Sequence, residues 1–205
     1  MRRKLGYLCL MLALGAGVAS AQVRAPNYDH MYCSGVWSTT AVPYDTYLIS
    51  GEESQLLSTF SGEYVYINKG SSQGVKVGDE FQVLRPDKDR YQPKWFYTQP
   101  WLQRAMGKFW KDVGKLRVVN VKDNTSIALV VFTCDYLQRG DHVRPFTERP
   151  APAFKRAKFD RFAPPTGRGA AMVVNAKDFA ASAGSNDIIY VNLGSRCEPG
   201  LDYRR

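Results

Sequence analysis

Short runs of apolar and β-branched residues, separated by turn-forming residues, constrain this chain most strongly. Residues 80–84 (EFQVL) alternate as in a half-buried strand, and residues 116–121 and 127–132 are rich in valine. The cluster KDNTS separates the last two runs, and GDHV at 140–143 resembles a final short strand. This close spacing predicts an all-β fold, a small barrel or sandwich over residues 47–146.

The first 21 residues have the three parts of a secretory signal peptide. Residues 2–4 (RRK) are basic, residues 5–18 are apolar but too short to cross a bilayer, and residues 19–21 (ASA) form a cleavage site. The alternative is a buried N-terminal helix. We expect an exported protein that starts at Gln22, is periplasmic or associated with the outer envelope, and has no transmembrane span after signal removal.

The basic character of the chain is modest once the leader is removed. The formal net charge is +9, and loss of the three leader cations lowers it to +6. This excess favours attraction to an anionic envelope surface, or simply solubility. Together with export, it argues against a nucleic-acid partner.

Two segments of the chain resemble each other, which predicts an internal repeat. In the first, YLIS (47–50) is followed by YVYIN (64–68); in the second, MVVN (172–175) is followed by IIYVN (188–192). Both segments end in Gly-Ser. The second copy lacks counterparts of the later strands, so residues 170–205 are predicted to form a partial second β-repeat whose strand edges need cover.

Two further segments have a different character. Residues 22–46 are expected to form an N-terminal extended segment. Residues 147–169 contain repeated prolines among lysines and arginines, and proline cannot donate to a strand ladder. We therefore predict a basic, proline-rich linker there.

Three cysteines remain after removal of the leader, which is an odd number. An oxidising compartment favours a disulfide, and Cys33 with Cys134 is the preferred pair because both belong to the first predicted unit. The alternative is that they are isolated apolar thiols. Cys197 would then be free, or would pair outside this chain.

The stretch GSSQG at residues 70–74 fits the G-x-S-x-G pattern of a hydrolase nucleophile elbow. That elbow requires a following helix, with the acid and histidine of the triad later in the chain. Here a second turn and an alternating strand follow, and His30 precedes Ser72. The pattern therefore favours a tight turn, and a serine hydrolase using Ser72 is a remote alternative.

Metal and cofactor chemistry have little support in the sequence. No cysteines or histidines are paired at ligand spacing. The adjacent carboxylates at 52–53 and 79–80 would point to opposite sides of a strand, which makes them poor acid–base partners. We expect no metal, no cofactor and no catalytic residues.

An aromatic and basic insertion occupies residues 90–112 between predicted strands, where long loops are often functional. Helical periodicity is weak between 45 and 145, with residues 101–111 as the one exception. Three interpretations remain open: the rings cap the barrel as core, contact a protein partner, or stack on envelope glycan. The candidate binding residues are Trp95, Phe96, Tyr97, Trp101, Arg104 and Trp110.

The turn pattern of residues 47–146 also carries a resemblance. The stretches YVYINKGSSQGVKVGDEFQV and GKLRVVNVKDNTSIALVV, followed by GDHV, resemble the C-terminal β-domain of flagellar assembly protein T. Similar domains occur in secreted envelope proteins, some beside peptidoglycan-binding LysM modules. The resemblance implies a β-barrel interaction module without catalytic residues. Its turn-forming residues here are Gly70, Gly74, Gly78, Asp79, Gly140 and Asp141.

These observations lead to a functional expectation. We expect a non-enzymatic, exported cell-envelope protein that acts as a structural or protein-interaction module. The main alternative is direct binding of peptidoglycan or another envelope glycan.

Overall fold

β-Strands dominate the computed structural model of this protein. The predicted signal peptide (1–21), Cys197 and most of the predicted linker lie outside the residues that it describes. The described residues are 31–53, 55–88, 94–149, 162, 164, 171–184 and 187–192.

Nine strands form two antiparallel sheets in the described part of the chain. The larger sheet has the order β2-β3-β6-β5-β4-β7, with β1 added to β5, and the smaller sheet is the hairpin β8–β9. The elements are β1 (Val36–Ser38), β2 (Leu48–Gly51), β3 (Tyr64–Ile67), β4 (Glu80–Asp87), α1 (Gln99–Met106), β5 (Lys108–Val121), β6 (Ser126–Thr133), β7 (His142–Pro145), β8 (Val173–Ala176) and β9 (Ile189–Val191).

The long strand β5 organises the larger sheet because it pairs with three others. It pairs with β4 along residues 109–117, while its first residues pair with β1 and its second half pairs with β6. The valine-rich pattern predicted only residues 116–121 of this strand. Residues 109–116 are buried on both faces except for half-buried Lys111, so no two-residue alternation could reveal them.

The hydrophobic core lies on the inner face of this sheet. Alternate residues point inward from β3, where Val65 and Ile67 are 1% and 0% exposed, while Tyr64 and Tyr66 point outward. The same alternation continues in β6. The core residues are Leu48, Val65, Ile67, Val75, Phe81, Val83, Val113, Leu116, Val118, Ala128, Val130, Leu137 and Val143.

The two ends of the strand order approach each other. Tyr47 and His142 form an isolated bridge. The Leu48 N–H donates to the Asp141 carbonyl at 3.0 Å, and the Gly140 N–H donates to the Leu48 carbonyl at 2.9 Å. No regular strand pair closes the sheet in the described residues, so closure into a barrel stays a prediction.

The GSSQG stretch forms a 3-10 turn that packs on the β5–β6 turn. The Ser71 and Ser72 N–H groups donate to the carbonyls of Lys122 and Asp123 at 2.9 and 3.0 Å. Gly70 allows this close approach, because a Cβ there would overlap the Lys122 carbonyl. Gly74 ends the turn at φ 85°, a left-handed conformation that favours glycine.

A disulfide and a buried ion pair hold the N-terminal segment on this sheet. Cys33 and Cys134 are bonded with their Cα atoms 5.4 Å apart. The carboxylate of Asp112, 1% exposed on β5, accepts the Gly35 N–H at 2.8 Å and both Nη groups of Arg149 at 3.0 Å. Arg149 belongs to the predicted linker, so the start of that segment is tied to the core.

The hairpin β8–β9 packs on the outside of β1 and β5 through aromatic rings. Phe109 lies 5.3 Å from the rings of both Phe179 and Tyr190. Asp178 and Phe179, in the β8–β9 connection, have φ values of 54° and 56°, which are uncommon for residues other than glycine. These conformations bring the Phe179 ring against Phe109.

The disulfide is expected to stabilise the fold substantially. Its sequence separation is 101 residues, for which the chain-entropy account gives about 5 kcal/mol. On a Cys197→Ser background, Cys33→Ser with Cys134→Ser should lower the free energy of urea unfolding by that amount. Dithiothreitol should destabilise the parent and leave the double variant unchanged; an equal response of both would contradict the prediction.

Candidate functional site

The aromatic insertion contains the helix α1. Pro100 in its first turn suits the helix start, where a missing N–H is harmless. The helix ends at Gly107, with φ 96°, whose N–H donates to the carbonyls of Gln103 and Arg104 at 3.2 Å. Any larger residue at 107 would overlap the Ser38 backbone. The helix is therefore short and ends where β5 begins.

Gln99 anchors this helix to its surroundings. Its side chain is 3% exposed; Oε1 accepts the Trp95 N–H and Nε2 donates to the Val174 carbonyl of β8, both at 2.7 Å. Both ends of the buried amide are thus bonded, as burial requires. Leu102, 3% exposed, lies one turn later and is also buried.

The opposite side of the helix is open to solvent. Tyr97, in the turn that leads into the helix, is 96% exposed, and Trp101 is 48% exposed. Arg104 is exposed one turn beyond Trp101, a spacing that makes the two side chains neighbours. We call Tyr97, Trp101 and Arg104 the aromatic–basic face.

The other three candidate binding residues lie elsewhere. Trp95 and Phe96 are half-buried in the segment before the helix. Trp110 is 3% exposed on β5, with its ring 4.8 Å from that of His142 and the Lys108 ammonium 4.8 Å from its centre. The structure thus brings Tyr97, Trp101 and Arg104 to one surface and places Trp110 in the interior.

An ionic cluster ties the β8–β9 connection to β5 near this helix. The Lys111 ammonium lies 2.9 Å from Asp135 and 3.6 Å from Asp178. Burial raises the pKa of Asp135, but the hydrogen bond and charge of Lys111 outweigh it, so its pKa lies below the ordinary value. Burial likewise disfavours charged Lys111, yet Asp135 raises its pKa overall.

Sequence reasoning missed the role of two buried aspartates. Asp112 also accepts a short hydrogen bond from the Gln82 amide. Asp141 was assigned only to a turn, yet it is 2% exposed and binds Arg85 through Nε and Nη2 at 2.7 and 2.8 Å. A lone aspartate gives no sequence signal for a partner 56 residues away.

The geometry around Ser72 is that of an exposed turn. Its backbone N–H donates to the Asp123 carbonyl in the β5–β6 turn. His142 lies in another cluster, with Nδ1 3.3 Å from the Pro43 carbonyl and its ring against Tyr44 and Trp110. His30 falls outside the described residues. Within the described part of the chain, no three Asp, Glu, His or Cys side chains group together as metal ligands would.

Comparisons with protein-family models, curated proteins and solved structures find no match to this chain. The helices in the described residues include none that is long and apolar enough to cross a membrane. The site must therefore be interpreted from its own geometry.

Gln99→Met should loosen the helix that carries the aromatic–basic face. The variant keeps the side-chain volume but leaves the Trp95 N–H and the Val174 carbonyl without their partner, a loss of about 1–3 kcal/mol. Urea unfolding measures this loss of free energy, and amide hydrogen exchange at Leu102 measures the loosening of the helix. Gln103→Met, at a half-buried position of the same helix, is the matched control; equal effects of both would contradict the anchoring role.

Acid should weaken the Lys111–Asp135 pair. Because the folded-state pKa of Asp135 lies below its unfolded value of 3.8, its contribution is complete above that pH and is lost as pH falls through the folded value. Unfolding free energies at pH 7 and pH 3 should therefore differ less in Asp135→Asn than in the parent. Lys111→Met should reduce the pH dependence of the unfolding free energy in the same way. If both variants keep the pH dependence of the parent, the assignment to the Lys111–Asp135 pair is wrong.

Proposed function

We propose that this chain is an exported, non-catalytic envelope protein that binds a protein partner through its aromatic–basic face. One observation carries the proposal: Tyr97, in the turn before α1, and Trp101, on α1, are 96% and 48% exposed, while Gln99 anchors the other side of the helix. Ordering such rings in a complex costs little entropy, because the turn and the helix already position their backbone. Aromatic and arginine side chains dominate the binding energy of protein interfaces.

The shape of this surface favours a protein over a small ligand. Tyr97 lies in the turn before the helix, Trp101 and Arg104 lie on the helix, and all three are exposed, whereas small-molecule sites are concave and bury most of their ligand. Arg104, with Lys94 and Lys108 nearby in the chain and also exposed, adds positive charge around the rings. An acidic partner surface with an apolar centre would complement this face.

The proposed compartment has separate support. The N-terminal sequence has the order of parts found in a signal peptide, and disulfides such as Cys33–Cys134 persist in oxidising compartments. The resemblance to the β-domain of flagellar assembly protein T favours the same interpretation: a β-barrel module, followed by a partial repeat, that acts in the envelope by contact.

Trp101→Ala should abolish partner capture. Immobilised protein, incubated with envelope extract, should retain a defined protein, and Trp101→Ala should reduce its recovery by more than tenfold, since hot-spot truncations cost about 2 kcal/mol or more. Phe60→Ala removes a ring that is 52% exposed on another loop and should retain the partner. Equal capture by Trp101→Ala would overturn the proposed face.

Two further assays on the parent protein and single variants test the alternative functions, glycan binding and serine hydrolysis. If the parent sediments with purified sacculi and Trp101→Ala does not, the face binds glycan and the protein-partner proposal falls. If a fluorophosphonate probe labels the parent but not Ser72→Ala, the chain is a serine hydrolase and the non-catalytic assignment falls.

A further inference from the structure

The two hairpins of this chain have the same strand register. In the first, Leu48 pairs with Ile67 and Ser50 with Tyr66, with a register shift between the two pairs. In the second, β8 and β9 pair in the equivalent way, and the shift falls at the equivalent place. Those pairs are Val173 with Val191, Asn175 with Tyr190 and Ala176 with Ile189.

Hydrogen bonds at the open ends of the two hairpins also correspond. The Tyr47 N–H donates to Asn68 Oδ1 at 2.7 Å, and the Met172 N–H donates to Asn192 Oδ1 at 2.7 Å. At the other end, the Glu52 N–H donates to the Tyr64 carbonyl at 2.8 Å. Its counterpart is the bond from the Lys177 N–H to the Ile188 carbonyl at 2.9 Å.

Burial, in contrast, is reversed at three apolar positions of the two hairpins, although Ala176, opposite Ile189, is 2% exposed. In the first unit Leu48, Val65 and Ile67 are 3%, 1% and 0% exposed, because they form the core. Their counterparts are Val173, Ile189 and Val191, which are 37%, 43% and 38% exposed. We call these three the open face of β8–β9. The hairpin packs on the rest of the protein through its other face, which includes Val174 at 0% exposure.

The two edges of the second hairpin also differ. The edge of β8 is covered, since Gln99 of α1 bonds the Val174 carbonyl. In the part of the chain that the structure describes, β9 pairs with β8 and with no other strand. Its counterpart β3 is covered on that side by β6, with Val65 opposite Ala128 and Ile67 opposite Ser126.

We propose that β9 accepts an extended segment of a partner protein, which pairs antiparallel with it as β6 pairs with β3. The segment carries apolar side chains at alternate positions, and these flank Ile189 and Val191 on the open face. Backbone hydrogen bonds supply affinity and the alternate side chains supply selectivity, as in other cases of β-strand addition. This surface is distinct from the aromatic–basic face.

The first unit argues for a partner strand over a second copy of β9. Strand β6 spans eight residues against the four of β3, so the covering strand extends beyond the strand it covers. A second β9 has three residues, and pairing two such edges would form few hydrogen bonds. The chain's own β6 is already held between β3 and β5.

A peptide with the sequence of residues 124–133, labelled with fluorescein, tests the proposal on the disulfide-bonded protein. Fluorescence anisotropy should show binding, and Val191→Lys should weaken it at least about tenfold. Hydrogen exchange should show new protection in β9. Val119→Lys places the same charge at a similarly exposed position of β5, 39% exposed, and should bind as the parent does.

Peptide-binding measurements distinguish strand addition at β9 from binding at the aromatic–basic face. Trp101→Ala should leave peptide binding unchanged. Absence of binding up to about 1 mM peptide, equal binding of a scrambled peptide, or equal weakening by Val119→Lys would overturn strand addition. A dimer in sedimentation that Val191→Lys converts to a monomer would also overturn it, because the occupant would then be a second copy.

Discussion

The buried carboxylate of Asp112 is the contact on which the rest of the structure depends. It lies on β5, the strand that joins β1, β4 and β6, and it gathers donors from Gly35, Gln82 and Arg149. A charge this deeply buried is tolerated only when it is paired and hydrogen-bonded. The N-terminal segment and the chain after β7 are thus held on the same strand, beside the Cys33–Cys134 disulfide.

This arrangement makes the outside of β1 and β5 a platform for the helix and the second hairpin. Phe109 receives the rings of Phe179 and Tyr190, and Gln99 joins the helix to β8. The aromatic–basic face and the open face of β8–β9 are therefore both carried by a disulfide-bonded support. A surface held in this way loses little conformational entropy on binding, which supports the proposed interaction role.

Particular elements show how far the sequence could predict this fold. Strand β6 follows its apolar pattern closely, because one of its faces is buried and the other is not. The start of β4 was predicted from its alternation, yet residues 81–84 are all buried, since polar Gln82 bonds the buried Asp112. The apolar pattern did not predict the first half of β5, because both of its faces are covered. In the sequence, Trp110 resembles the other aromatic residues of the insertion. Composition selected the aromatic insertion as the candidate site, but it could not distinguish Trp101, which is 48% exposed, from Trp110, which is 3% exposed.

The sequence by itself determined the mostly β character of the chain and the position of its turns. These properties arise from local backbone preference and from alternation, which a short window contains. Only the tertiary structure decided which aromatic rings are exposed, which aspartates meet arginine, and which face of each hairpin is buried. Those outcomes depend on residues far apart in the chain, as with Arg85 and Asp141 or Gly35 and Asp112, and local sequence does not encode their proximity.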